Sequence, residues 1–230
     1  MAPGTADDDL RRVTRPKARA RAAYDRLSRW YDVFAAGERR FQRIGLELLD
    51  VQRGERVLEL GVGTGWALAA LAQSVGPEGG VVGVDIAPAM LRRAARRLER
   101  AATLGRAELC ACDALHVPLG DATCDAAYLS FTLELFDTPE IPLVLAECRR
   151  VLRPGGRIAV VALAREDTRA TRLYERLHDL FPATLDCRPI HPAAAVAAAG
   201  FAVAGTRGAR EWGLGVEIVL GIEPEGPLGR

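Results

Sequence analysis

Short apolar runs alternate with amphipathic stretches along most of the chain, and turn residues mark nearly every junction. Val57–Leu60, Val81–Asp85, Ala107–Ala111, Cys124–Ser130 and Ile158–Leu163 have the length and character of buried strands. Between them, Trp66–Ser74, the stretch opened by Pro88, and Pro139–Leu152 read as helices. Gly76-Pro77-Glu78-Gly79-Gly80 stops the first helix; Arg153-Pro154-Gly155-Gly156 stops the third and turns the chain into a strand. Strands alternating with helices predict an α/β domain, a doubly wound parallel sheet with helices on both faces.

The two ends depart from this alternation. Arg165–Leu180 reads as a helix, Pro182–Pro192 as irregular, and Pro192–Ala199 as a short helix that Gly200 ends. Phe201–Thr206 and Val216–Ile222 then read as strands joined across Gly208–Gly215, a connection short enough to make them antiparallel. The sheet is therefore expected to hold seven strands, mostly parallel, and to finish in a hairpin. At the other end, residues 1–16 are polar, carry Asp7-Asp8-Asp9, and are expected to be disordered. From Pro16 onward Tyr24, Leu27, Trp30, Tyr31 and Phe34 recur at three- and four-residue spacings, and Gly37 separates this helix from a second, Phe41–Leu49. Residues 17–45 form either a plain amphipathic packing segment or a helical lid, because Tyr and Trp both pack and hydrogen-bond. Residues 46–230 form the α/β domain.

Composition narrows the partners. Thirty-one basic against 30 acidic residues leave a formal charge of +1, so no global field draws in nucleic acid or an anionic membrane. Arg92-Arg93, Arg96-Arg97 and Arg100 form a solvated helix face; no aromatics interleave them and Glu99 interrupts them, which argues against a nucleic-acid surface. Lys17 is the sole lysine, and with the abundant alanine this reads as coding background. No apolar run reaches the length of a membrane span, and the N-terminus lacks the apolar core of a secretory signal. The five cysteines, most of them in apolar segments, read as free thiols of a cytoplasmic protein. Cys110-Ala111-Cys112 has no second Cys/His pair to complete a metal site, and none is expected.

The chemistry concentrates in Arg56-Val57-Leu58-Glu59-Leu60-Gly61-Val62-Gly63-Thr64-Gly65, a strand that breaks into three alternate glycines before a helix. Such a turn lets a ligand touch the main chain, and the helix behind it presents unpaired N–H groups. The spacing is Gly-x-Gly-x-Gly, not the dinucleotide Gly-x-Gly-x-x-Gly. Glu59, two places before the first glycine, would repel a pyrophosphate and suits an ammonium or sulfonium. Asp85 ends the next strand 20 residues past Gly65, beside the glycine turn in a doubly wound sheet, where a carboxylate can accept both hydroxyl protons of a ribose.

Glu59-Leu60-Gly61-Val62-Gly63-Thr64-Gly65 resembles the first motif of the class I S-adenosylmethionine-dependent methyltransferases, and Arg149-Arg150-Val151-Leu152-Arg153-Pro154-Gly155-Gly156 is similar to a later one. Tyr24–Asp32 resembles the segment before the glycine turn in ubiquinone/menaquinone-biosynthesis-type members, where it closes over the cofactor. The resemblance implies a Rossmann-like sheet with a terminal hairpin and S-adenosylmethionine as cofactor, leaving as S-adenosylhomocysteine. It implies a cofactor set of Glu59, Gly61, Gly63, Gly65, Asp85, Ile86, Met90, Asp113, Ala114 and Ser130, with Asp113-Ala114 holding the adenine. Ser130–Phe136 follows the quinone enzymes only in part, since Leu133-Glu134-Leu135 stands where they tend to carry polar and basic residues. The implied acceptor is a small, lipophilic or aromatic molecule of quinone type; a phospholipid amine or another small N- or O-acceptor is the alternative.

Methyl transfer is an in-line displacement, so a base is needed only where the acceptor must lose a proton. Tyr24, Tyr31, Tyr128, Glu134 and His191 are the pocket candidates, none with a partner the sequence reveals; His116 reads as a loop residue. A nicotinamide-dependent oxidoreductase is the reading from another enzyme class, and the glycine spacing, Glu59 and the hairpin oppose it. A binding protein that kept the fold without the catalysis is the third.

Overall fold

The computed structural model describes residues 37–180, 187–211 and 213–225. The predicted disordered stretch 1–16 and the aromatic face of Tyr24, Trp30 and Tyr31 lie outside them. The sheet strands are β1 (Arg56–Leu60), β2 (Gly80–Asp85), β3 (Ala107–Ala111), β4 (Cys124–Ser130), β5 (Leu152–Ala164), β6 (Ala202–Glu211) and β7 (Leu214–Ile222). The helices are α1 (Arg39–Leu49), α2 (Trp66–Ser74), α3 (Pro88–Arg100), α4 (Ile141–Val151), α5 (Arg169–Leu180) and α6 (Pro192–Ala198). Pro88 opens α3, where its missing N–H costs nothing.

Strand order is β3-β2-β1-β4-β5-β7-β6. The first five strands pair in parallel, and β7 runs antiparallel to both β5 and β6. This is the Rossmann-like α/β sheet with its terminal hairpin. Alternate side chains divide the core into two layers. Leu58, Leu60, Leu129 and Val160 pack with Val144, Leu145 and Val151 of α4 and Val196 of α6. Val57, Val81, Tyr128 and Val161 pack with Phe41 and Leu49 of α1, Leu68 and Leu71 of α2, and Leu91 and Leu98 of α3. Chain order reverses direction between β1 and β4, which opens a crevice at their carboxyl ends.

Three predicted boundaries move. The Pro154-Gly155-Gly156 turn is extended backbone: β5 begins at Leu152, opposite Cys124, and its register shifts before Arg157 pairs with Ala126. Gly155, at φ +76°, makes that irregularity possible. The predicted hairpin loop 208–215 is mostly strand, since pairing runs on to Glu211 opposite Leu214. Helix α5 starts four residues later than expected, because the Arg165 N–H is bonded to the Ile190 carbonyl and the Thr168 hydroxyl receives the Thr171 N–H.

The second sequence motif is a set of ties at the amino end of the sheet. Arg149 donates twice to the Glu223 carboxylate, at 2.6 and 2.7 Å, and once to the Ala199 carbonyl, fastening α4 to the hairpin. Arg153 pairs with Asp125, whose other oxygen accepts the Arg56 N–H. Arg157 reaches the Leu49 and Asp50 carbonyls and the Glu55 carboxylate, fixing the end of α1. All five cysteines are free; Cys124 and Cys148 are buried, whereas Cys110, Cys112 and Cys187 are only half-buried. No helix among the described residues is long and apolar enough to cross a membrane.

Candidate cofactor and acceptor site

The glycine turn fills the crevice between β1 and β4. The Gly61 and Val62 N–H groups both donate to the Val84 carbonyl, at 2.8 and 3.2 Å, tying the turn to the end of β2. All three glycines have left-handed φ: +72° at Gly61, +51° at Gly63 and +79° at Gly65. Their reasons differ. A Cβ on Gly61 would lie 2.3 Å from the Thr132 hydroxyl, and one on Gly65 would lie 2.6 Å from Ala94 Cβ. Gly61 and Gly65 therefore permit close packing, of the turn on the loop after β4 and of α2 on α3. Gly63 lines a cleft together with Glu38, Arg39 and Gln42 at the start of α1, Glu59, Gly61, Val62, Thr64 and Ser130.

Two carboxylates set the electrostatics. Glu59 is buried in β1 between Gly83 and Tyr128, and its Oε2 finds no hydrogen-bond donor. Burial first, and the charge of Asp85 second, push its carboxyl well above the ordinary range. Asp85 is half-buried and takes the Gly63 N–H on Oδ2 at 2.9 Å and the Ala87 N–H on Oδ1 at 2.8 Å. It thus organises both turns beside it.

Of the remaining expected cofactor residues, Ile86 is half-buried beside Asp85, whereas Met90 is only 1% exposed and belongs to the α3 packing. Asp113 and Ala114 follow β3; the Asp113 carboxylate receives the Leu115 N–H at 3.1 Å. The loop they begin is clamped from α4. Arg150 donates to the Val117 and Leu119 carbonyls, to Asp121, and through two nitrogens to Glu147, and these five bonds match its five N–H groups. Glu147 in turn accepts the Val117 N–H at 2.8 Å. The motif was legible in the sequence, but this role of its second arginine was not. We expect Arg150→Met to raise the KM for S-adenosylmethionine about tenfold, since charged hydrogen bonds are worth ~1.5–3 kcal/mol and only part of the loss reaches the site. The kcat should stay within about twofold. Initial-rate kinetics check this.

On the acceptor side, Phe131 leaves β4 at φ +49°, a strained conformation for a residue other than glycine, and its ring meets Phe41 edge-on at 6.2 Å. Ser130, at the strand end, faces the cleft. Glu134 is fully buried in the turn that follows; its Oε1 accepts the Leu163 N–H at 3.2 Å and its Oε2 has no donor. Burial pushes its carboxyl up to about 8, against the lowering effect of backbone N–H groups. Arg188, also buried and missed by sequence reasoning, acts on it electrostatically and donates to the Phe136 carbonyl. Tyr128 turns away from chemistry. Its hydroxyl donates to the Gln42 carbonyl at 2.9 Å, and burial raises its pKa further from any basic role. His191 stands at the N-cap position of α6, its side chain making no cap bond, next to Ile190, which bridges to the end of β5. Tyr24 and Tyr31 lie outside the described residues.

A buried carboxyl oxygen lacking a donor, a glycine turn on the cleft wall and a second carboxylate at the end of β2 fit a nucleoside bearing an ammonium. They do not fit a pyrophosphate. Comparison with known proteins agrees. Residues 57–156 match the profile of a methyltransferase domain. The ubiquinone/menaquinone biosynthesis C-methyltransferase of Teredinibacter turnerae is 33% identical over 76% of this chain and 68% of its own length. The 2-phytyl-1,4-naphtoquinone methyltransferase of Synechococcus elongatus is 34% identical over 67% of this chain and 65% of its own. The matched stretch thus spans about two thirds of these relatives. A chain of the Haloferax volcanii complex containing the Trm112 methyltransferase activator shares the fold, with TM-score 0.74 and 19% identity over 91% of this chain and 99% of that one.

Proposed function

The chain belongs to the class I S-adenosylmethionine-dependent methyltransferases, and on that premise we propose that its acceptor is a small lipophilic or aromatic molecule of quinone type. The enzyme uses S-adenosylmethionine, which when bound supplies an electrophilic methyl group on a sulfonium. The observation that carries the cofactor assignment is Glu59: a buried carboxyl facing a glycine-walled cleft with an oxygen left unbonded. In this reading Glu59 and Gly63 hold the amino-acid end, Asp85 the ribose, and Ile86 with Asp113-Ala114 the adenine. Support for the acceptor class comes from the names of the relatives.

A second acceptor class has one specific observation in its favour. Glu134 puts a carboxyl that holds its proton near neutrality where the quinone enzymes tend to carry polar and basic residues. Such a group, once ionised, can take a proton from an acceptor O–H or N–H. A screen for transfer of labelled methyl from S-adenosylmethionine to quinone and lipid extracts, with the product's methylated atom identified, separates the two. Label on a ring carbon supports the quinone reading. Label on oxygen or nitrogen overturns it in favour of the second.

Residues 17–45 are proposed as a lid. Its supporting observation is that Glu38, Arg39 and Gln42, at its end, line the cleft. Amide exchange over the part of this segment that precedes α1 should slow when S-adenosylhomocysteine is added, while residues 57–60 and 158–163 change little. Exchange indifferent to the ligand would make the segment packing alone.

A further inference from the structure

Besides Glu59 Oε2, two other buried oxygens on the wall of the same cleft are open to a donor: Gln42 Oε1, which has no partner, and Ser130 Oγ, whose neighbour is the Tyr128 hydroxyl, a group that itself donates to the Gln42 carbonyl. Buried polar atoms are nearly always bonded, so two unbonded oxygens and a hydroxyl with acceptor capacity meeting at one cleft point to a ligand. All three are able to accept, and a primary ammonium has three N–H groups to give. The three come from separate elements: α1, β1 and the end of β4.

The position of Gln42 is held independently of any ligand. A Cβ on Gly45 would stand 2.6 Å from Val161 Cγ2 and 3.0 Å from the Tyr128 hydroxyl, so only glycine lets α1 lie this close to β4 and β5. Tyr128 bonds the Gln42 carbonyl from below, and Arg157 holds the Leu49 and Asp50 carbonyls at the far end of the helix. With its backbone fixed at both ends, the helix delivers the Gln42 carboxamide to the cleft before a ligand arrives. Preorganisation of this kind lowers the cost of binding. Arg39 lines the same cleft, so the wall carries charge of both signs, as the zwitterionic end of an α-amino acid requires.

We propose that Gln42 is a direct ligand of the cofactor's α-ammonium group, its carboxamide oxygen completing a three-oxygen site with Glu59 and Ser130. The proposal rests on the S-adenosylmethionine reading and extends it to α1, which thereby couples the segment before the domain to occupancy of the cleft.

Two probes isolate the ammonium. S-Adenosylhomocysteine carries the amino-acid end, whereas 5′-methylthioadenosine has the same nucleoside and thioether without it. Calorimetric titration of the full chain should show Gln42→Met weakening S-adenosylhomocysteine about tenfold, as loss of one hydrogen bond to a charged group implies. Its affinity for 5′-methylthioadenosine should stay within about twofold. Ser130→Ala should give the same split. Unchanged affinity for S-adenosylhomocysteine in Gln42→Met overturns the proposal. Equal weakening of both probes overturns it too, because a displaced helix would not discriminate between them. Failure of the wild-type protein to bind either probe is a distinct result: it overturns the cofactor reading, and this site with it.

Discussion

Gly63→Ala should leave the protein folded and lower its affinity for S-adenosylmethionine by roughly 100-fold or more, about 2.7 kcal/mol. The fold is expected to tolerate the change better here than at the other two glycines of the turn. Gly61 and Gly65 are in contact with Thr132 and Ala94, so any side chain there disturbs the packing itself. Gly63 faces the cleft at φ +51°, a left-handed conformation that costs alanine about 1–2 kcal/mol. In a domain of this size that lowers the Tm by a few degrees. On the proposed assignment, a methyl group on the wall against the ligand's amino-acid end is far more damaging to binding. Differential scanning fluorimetry and calorimetry on one preparation check both parts. Retained affinity in a folded variant would sink the glycine-turn assignment.

Asp85→Ala should weaken cofactor binding by roughly one to two decades, since hydrogen bonds to a charged group are worth ~1.5–3 kcal/mol. Besides its proposed ribose contact, the carboxylate receives the N–H of Gly63 and that of Ala87, so its loss also loosens the turn and the start of α3. The expected loss is therefore a lower bound on the effect at the site, and a modest drop in Tm should accompany it. A titration indistinguishable from that of the parent protein would show the ribose assignment to be wrong.

Both residues were legible in the sequence, because a strand ending in glycines and a strand ending in a carboxylate are local patterns with local causes. The parallel strands were legible for the same reason: Val57–Leu60 and Val81–Val84 are buried on both faces and read as continuous apolar runs. The hairpin was only partly legible. Strand β6 lies at the sheet edge with mostly exposed small and polar residues, so burial imposes no alternation, and its second half looked like a loop. Leu152–Gly156 misled in the opposite sense, since Pro and Gly signal a turn equally well where they build a bulge. Tyr128 looked like a pocket residue; its register opposite Glu59 puts it under α1, where its hydroxyl serves the helix. Gln42 carried no signal at all. Its place at the cleft depends on how closely α1 docks, and Gly45, facing Val161, decides that through a contact between residues far apart in the chain.

The most direct test is calorimetry of the wild-type protein with S-adenosylhomocysteine and with NADH, repeated in buffers of different ionisation enthalpy over a range of pH. Burial and the charge of Asp85 push the Glu59 carboxyl well above its ordinary range, and an ammonium placed against it pulls it back toward the ionised form. S-Adenosylhomocysteine should therefore bind at a single site with release of protons, and the release should vanish in Glu59→Gln. NADH should give no binding heat. Binding of NADH to the same site, or no binding of S-adenosylhomocysteine, would contradict the assignment of this cleft.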